Sequence, residues 1–526
     1  MGCVECRYLE AASTNNLIAR MSLKFKIWLK ELFLILSSIF FSVFVLPFLL
    51  VFFFCPLYAY RRVVIFLATV FKPRFHTALN LDSCLVVCDD IQNRPRNSFC
   101  FVLYLKGKIP YNDLVGRVET VLDKRPQLTC TLTRWLSVYF WEKCKNFSLS
   151  NHIFQNEESD PDKLSELLLN MIEKGYPTGN PLWELIYFPN YAHPEYATTS
   201  AVLLRIHHVL GDGMAYMALV RDLCDPDPTM DKEIEKMLKT LRKKLTISPL
   251  KKFAYLAELL FVTPRQTVYN CLKGFNSQVI PMATNNSGSS GVTQFAKLMD
   301  ISLIKRISKK TGVKVTSIIH AGVAGAMRRL ILEKGGRADG NLSIIYVLPK
   351  MNHPGTMTNN SFAMPLICPM TPEPSQAARL ARVSDQFDRI LSTPLPLGMM
   401  FTASLLGLMN ETFGLMKWGM PHVGGCLHSN FAFVGEPMKL FGHVVETPIL
   451  YTGLQPGAHH LVVGTLSYNG KFMIQLLGSR AAFPERDDVV KFADYVREEF
   501  DMLDATGSDE NDYLPPQFRE LDKKKN

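Results

Sequence analysis

The chain offers no disulfide framework. Its 12 cysteines are scattered without paired spacing, as in proteins that keep free thiols in a reducing compartment. Cys3-Val4-Glu5-Cys6 is a lone C-x-x-C with no second pair, which argues against zinc or redox chemistry there. No nucleic-acid-reading motif is present. The net charge is +10, but Lys and Arg are dispersed, with small clusters beside one apolar segment. That distribution suits an anionic membrane face better than a nucleic acid. No G-x-S-x-G elbow exists, so a serine hydrolase is discounted. His320, His422, His428, His443, His459 and His460 lack metal-ligand spacing. No repeat of fixed period is visible.

What is there begins with size and apolar content. The 526 residues are 48% hydrophobic, enough for more than one core. Residues 32–60 carry no charge, and only Ser37, Ser38, Ser42, Pro47 and Pro56 break the apolar set. This run exceeds the roughly 20 residues that cross a bilayer and the about 7–15 of a signal-peptide core. It reads as membrane-embedded. Lys24, Lys26 and Lys30 precede it and Arg61, Arg62, Lys72 and Arg74 follow, so the positive-inside rule does not orient it. With Pro47 near the middle and a second apolar run at 63–71, both a kinked span and a re-entrant hairpin remain open. Met1-Gly2-Cys3 resembles an acylation start. Lys523-Lys524-Lys525-Asn526 resembles a dilysine retrieval signal of the endoplasmic reticulum, and reads equally well as a solvated basic tail.

From Pro73 the pattern is mixed α/β. Strands are expected at 98–106, 181–188, 197–207 and 342–348. Helices are expected at 111–124, 164–173, 214–223, 302–309, 315–333, 375–391 and 487–503. Residues 461–477 read as a hairpin around Asn469-Gly470. The run 231–244 is charged and helix-rich, and 253–262 is an apolar helical run that could touch lipid. Residues 395–409 are apolar and rich in methionine, suited to core, channel wall or a second membrane contact. The composition of 284–291 is that of a flexible linker. This divides the chain into a cytosolic tail (1–30), a membrane-embedded segment (31–72), a first soluble half (73–283), a linker (284–292) and a second half (293–526). The sequons at Asn341 and Asn410 would be silent in a cytosolic domain.

The most informative string is His207-His208-Val209-Leu210-Gly211-Asp212-Gly213, or H-H-x-x-x-D-G. It sits where an apolar strand gives way to a helix. A strand end, a tight turn and a helix start can hold an imidazole rigidly at the mouth of a crevice, where it can take a proton near neutral pH.

Three further elements accompany it. Pro181-Leu182-Trp183 comes before it. Ser429-Asn430, with Gly435-Glu436-Pro437 after it, and Ser467-Tyr468-Asn469-Gly470 follow. In order and spacing these resemble the wax ester synthase/diacylglycerol acyltransferases, members of the CoA-dependent acyltransferase superfamily, over roughly 81–504. The resemblance implies an α/β fold: two chloramphenicol acetyltransferase-like domains around a central tunnel, here with an added N-terminal membrane segment. It implies His208 as general base, braced by His207. Asp212 would be structural and paired with an arginine, and Gly213 would permit the tight turn. Pro181, Trp183, Thr316, Ser317, Ser429 and Asn430 would contact substrate. Thr316-Ser317 stands where the family commonly has Asn-Asp, and the Ser429 element is loosened by Phe431-Ala432-Phe433.

The implied activity moves a fatty acyl group from acyl-CoA to a fatty alcohol or diacylglycerol. Acyl-CoA is a co-substrate, no cofactor or metal is required, and the lipid bilayer is a partner. The implied site is the endoplasmic reticulum membrane, with the catalytic part cytosolic. A catalytically silent, membrane-tethered lipid or acyl-CoA binding protein on the same fold is the alternative.

Overall fold

The computed structural model describes residues 17–193, 198–229, 249–275, 280–281, 292–336, 341–350, 353–369, 375–415, 425–432, 437–446, 448–454 and 459–505, with Lys232. The acylation start, the C-x-x-C, the linker 284–291, nearly all of the charged run 231–244, Gly435-Glu436 and the dilysine tail lie outside them.

Two sheets organise the body. The first has five strands in the order Ile449–Thr452, Ser98–Leu105, Ser200–His207, Trp183–Phe188, Ile153–Gln155. Every residue of Ser200–His207 is buried. The strand therefore lacks the two-residue alternation of a half-exposed strand and reads as a continuous apolar run. Its one charge, Arg205, is fully buried. It meets Glu184 on the neighbouring strand at 3.2 Å and lies over the Tyr176 ring at 3.7 Å. The helix Tyr111–Lys124 buries Leu114, Val118, Val121 and Leu122, the face its spacing predicts.

The second sheet has six strands in the order Ser361–Pro369, Asn341–Pro349, Cys426–Ala432, Leu461–Tyr468, Lys471–Ser479, Val292–Asp300. Its hairpin turns at Asn469 (φ 46°) and Gly470 (φ 71°), the left-handed pair that an Asn-Gly turn supplies. Helices Val315–Glu333, Gln376–Ser392 and Arg486–Ala505 complete a second core.

The expected boundary at 284–292 does not separate two closed units. Ile449–Thr452 returns from the second half to pair antiparallel with Phe99–Val102, and Met438, Leu440, Val445 and Ile449 are buried in the first core. The first sheet takes an edge strand from the far end of the chain.

The N-terminal segment is one helical rod from Leu17 to Phe71, not a hairpin. Two π turns, Phe41–Val45 and Leu50–Phe54, precede Pro47 and Pro56. Each proline lacks an N–H for the helical ladder, and the wider turn absorbs the gap. Half-buried positions recur every fourth residue through 41, 45, 49, 53 and 57. That period is longer than the about 3.6 of an α-helix, and the π turns take up the difference, so one stripe stays against the body. At the ends the contact is firm. Arg61 bonds Glu411 at 2.7 Å, both buried, and Val64 and Ala68 pack with Phe140. The stretch Glu31–Phe71 is long and apolar enough to cross a membrane and only 11% buried. Val315–Glu333 passes the same length test but is 72% buried and is a core helix.

Among the described residues no disulfide occurs. Asn410 of the second sequon is fully buried and bonded to the Cys84 carbonyl, so the folded chain cannot present it to a glycosylating enzyme.

Candidate active site

The histidine pair closes the strand Ser200–His207, and each ring has a different task. His207 is fully buried. Its Nδ1 accepts from the Val209 N–H (3.2 Å), so its Nε2–H donates to Asp89 Oδ2 (3.1 Å). The same Asp89 oxygen accepts the Arg96 and Asn97 backbone N–H groups, each at 2.8 Å. Burial alone would raise the Asp89 pKa. The hydrogen bond from His207, with those N–H groups, outweighs it and holds the carboxyl below its usual value. The His207 backbone is fixed from both sides: its N–H donates to the Leu182 carbonyl, and its carbonyl accepts from the Tyr216 hydroxyl, each at 3.0 Å.

His208 is half-buried. Its backbone N–H donates to the Asn97 carbonyl at 2.7 Å, and its carbonyl accepts from Asn359 Nδ2 at 2.6 Å. Its Nδ1 lies 2.8 Å from the Gly211 carbonyl, which can only accept. Nδ1 therefore carries the proton and Nε2 carries the lone pair. The ring stands edge-on to Phe99 at 4.6 Å. Burial is the largest influence on this imidazole and lowers its pKa, although Asp212 and the Gly211 carbonyl pull the other way. The result is a neutral ring in a fixed tautomer on a half-buried residue.

Asp212 does not touch His208. It caps the helix Gly213–Leu223 through Oδ1, which accepts from Met214 and Ala215 N–H at 3.1 Å. Its expected arginine partner is instead His353, whose Nε2 sits 2.9 Å from Oδ1, while Oδ2 accepts the Asn360 N–H at 2.8 Å. Gly213 also has a different reason from the one expected. Its backbone is not in the left-handed region. A Cβ there would fall 2.0 Å from the Phe431 ring. Glycine is needed because a side chain from the second half presses on the first turn of the helix.

The other expected residues divide into two groups. Pro181 and Trp183 are core. Trp183 is 2% exposed, donates Nε1–H to the Leu128 carbonyl and stacks on His152. That leaves no indole surface for a substrate. The element instead acts through its backbone, the Leu182 carbonyl that holds His207. Asn430 Oδ1 accepts from Thr465 Oγ1 at 2.9 Å. Ser317 is fully buried, and its hydroxyl has no partner among the described residues. Ser429 lies on the opposite strand face from Asn430. Among the described residues no hydrogen bond joins this second group to His208. Sequence reasoning missed Asp89, Asn97, His353, Asn359 and Asn360. All are polar residues in loops, and no periodic or motif signal marks them.

No family model matches the chain. In sequence it is 24% identical over 266 residues to a Mycobacterium tuberculosis protein that carries the provisional name diacylglycerol O-acyltransferase. A second strain's counterpart gives the same identity over the same length. The match covers 46% of this chain, and the chain spans about half the length of these relatives, 52%. In fold it is similar to the wax ester synthase/diacylglycerol acyltransferase of Marinobacter aquaeolei VT8, with 15% identity, TM-score 0.52, and 81% of this chain and 98% of that one covered. It is also similar to the trichothecene 15-O-acetyltransferase TRI3 of Fusarium sporotrichioides, with 12% identity, TM-score 0.55, and 81% and 94% covered. A variant of the starter condensation domain of rhizomide synthetase, solved with C8-CoA, gives 12% identity, TM-score 0.56, and 86% and 98% covered. The fold is thus the α/β architecture shared by these acyltransferases and condensation domains. The sequence relatives carry a provisional diacylglycerol O-acyltransferase name, and the Marinobacter enzyme shares the fold.

Proposed function

We propose that this chain is a membrane-anchored O-acyltransferase. It moves a fatty acyl group from acyl-CoA to a lipophilic alcohol: a long-chain alcohol, giving wax ester, or diacylglycerol, giving triacylglycerol. The observation that carries this reading is the His208 ring, neutral, fixed through Nδ1–H to the Gly211 carbonyl, with Nε2 left to act.

Nε2 takes the proton of the acceptor hydroxyl as that oxygen attacks the thioester carbonyl. The tetrahedral intermediate collapses and expels the CoA thiolate, and the imidazolium returns its proton to that sulfur. No acyl-enzyme forms. His207 positions the base through Asp89 and Asn97. Asp212 and His353 lock the loop. In this reading the two halves enclose a tunnel, with acyl-CoA and acceptor entering from opposite mouths. The anchor helix holds the acceptor mouth at the bilayer, where such alcohols concentrate, and the catalytic part faces the cytosol, where acyl-CoA is found.

The test pairs the purified full chain and labelled acyl-CoA with hexadecanol, diacylglycerol and a sterol in parallel. Product with one of the first two, absent in His208→Ala, supports the reading. Acyl-CoA binding without any product supports the silent binding protein, which the departure at Thr316-Ser317 favours.

A further inference from the structure

The anchor helix is not a free-standing span. It lies along the body, and its neighbours are helices with apolar side chains of their own facing outward. Thr263–Phe275 packs against the anchor helix and against both Pro249–Phe261 and Leu395–Phe413. Tyr269 bonds Glu31 from this helix, and Lys273 pairs with Glu31 at 3.1 Å. Gly398 of the methionine-rich helix fits against Thr263 and Thr267. Further along, Phe413 stacks on Phe53 at 5.9 Å.

Pro249–Phe261 and Leu395–Phe413 expose large apolar side chains. On Pro249–Phe261, Phe253 is 77% and Phe261 81% exposed, with Leu256 and Leu260 between them at helical spacing. On Leu395–Phe413, Phe401 and Phe413 are each more than half exposed. On the anchor helix the outward side carries Phe44, Phe48 and Phe52. A patch this extended does not face water in a soluble monomer. The anchor helix settles what it does face. It is uncharged over 32–60 and needs hydrocarbon. Because one stripe of that helix is pressed on the body, the medium that surrounds its other side also reaches the helices packed beside and behind Thr263–Phe275.

We propose that Pro249–Phe261 and Leu395–Phe413 form, with the outer side of the anchor helix, one continuous lipid-facing surface, so that the catalytic body is itself inserted in the bilayer. The methionine-rich helix then spans the distance from lipid to site. Its inner side bonds the segment that precedes the motif: Asn410 to the Cys84 carbonyl, and Ser404 to Asp82. The same segment carries Asp89 and Asn97, which hold the histidine pair. An acceptor dissolved in the bilayer would reach the site laterally along this helix. The acyltransferase reading gives the surface its purpose, but the surface is argued without it.

The test uses the full chain in phosphatidylcholine vesicles, with a benzophenone amino acid placed singly at Phe253, Phe261 or Phe401. Phe52 serves as positive control. Phe154, 39% exposed on the edge strand of the first sheet, serves as negative control. After irradiation, adducts are identified by mass. Acyl-chain adducts at Phe253, Phe261 and Phe401, and none at Phe154, are expected. Lipid adducts confined to Phe52 would overturn the proposal. So would protein–protein adducts at the three positions, which would make this face a contact between copies. In parallel, Phe253→Ser with Phe261→Ser is expected to lower transfer to a bilayer-dissolved acceptor more than transfer to a short water-soluble alcohol. If the chain transfers no acyl group at all, the proposed function fails while the adduct pattern still decides the surface.

Discussion

Each half of the molecule holds a pair of histidines, and the two pairs behave differently. In the first half, His207 and His208 are neighbours in sequence at a strand end. In the second, His320 on the helix Val315–Glu333 and His428 on the strand Cys426–Ala432 meet through their Nδ1 atoms at 3.2 Å. His428 Nε2 donates to Thr465 Oγ1, which donates onward to Asn430. His428 Nδ1 must then accept, so His320 Nδ1 donates and His320 Nε2 is left with a buried lone pair. That atom has no partner among the described residues. Burial pulls all three lower: His208 below its ordinary value, His320 well below it, His428 to about 3. A neutral imidazole with an unused nitrogen is thus not distinctive. What separates His208 is that the residue is half-buried, while His320 and His428 are fully buried.

The strongest way to break this comparison is to remove the reachable ring. His208→Ala should cost about 10²–10⁴-fold in acyl transfer, with the thermal midpoint nearly unchanged. Persistent turnover would dismiss His208 as the base. The clamp behind it comes next. Asp89→Ala strands the His207 Nε2–H and two backbone N–H groups in a buried place and should cost roughly 2–4 kcal/mol of stability, read from a urea midpoint, with loss of rate as well. Unchanged rate would show that His208 is held without that clamp. Gly213→Ala drives a methyl group into Phe431 and should cost about 1–3 kcal/mol. Phe431→Leu should recover part of it, and failure to recover would place the strain elsewhere.

Acidity sharpens the same contrast. The base form of His208 persists below pH 6.5 because its pKa is lowered from that value. The acidic limb of the rate profile should therefore lie below 6.5, and a limb above it would contradict a desolvated base. The sealed pair acts on stability instead. Between 6.5 and about 3 the unfolded chain binds protons that the folded His428 does not, so this contribution is full above 6.5 and declines as pH falls through that window. The smallest expected effect is that of His320→Leu on turnover, less than about twofold, in keeping with a residue outside the chemistry.

Much of this was legible in residue order. The helix Tyr111–Lys124 matches its expected range, because Leu114, Val118 and Leu122 repeat at helical spacing. The motif strand and the Asn-Gly hairpin follow local rules as well. What escaped is long-range. Asp89 meets His207 across 118 residues, His353 meets Asp212 across 141, and Asn359 meets His208 across 151. A lone polar residue in a loop has no period, and its partner is chosen by tertiary packing. Trp183 and Gly213 stand in strings that the sequence marks, but packing decides their place: one anchors a core, and the other yields space to Phe431.

The borrowed edge strand has a consequence for biosynthesis. Ile449–Thr452 pairs along Phe99–Val102, so a ribosome must deliver most of the chain before that sheet gains its final partner. Until then Ser98–Leu105 presents an open row of backbone donors and acceptors, the template on which unfinished chains pair with one another. Production of this protein is therefore most vulnerable late in translation, and fragments that stop short of Thr452 should aggregate.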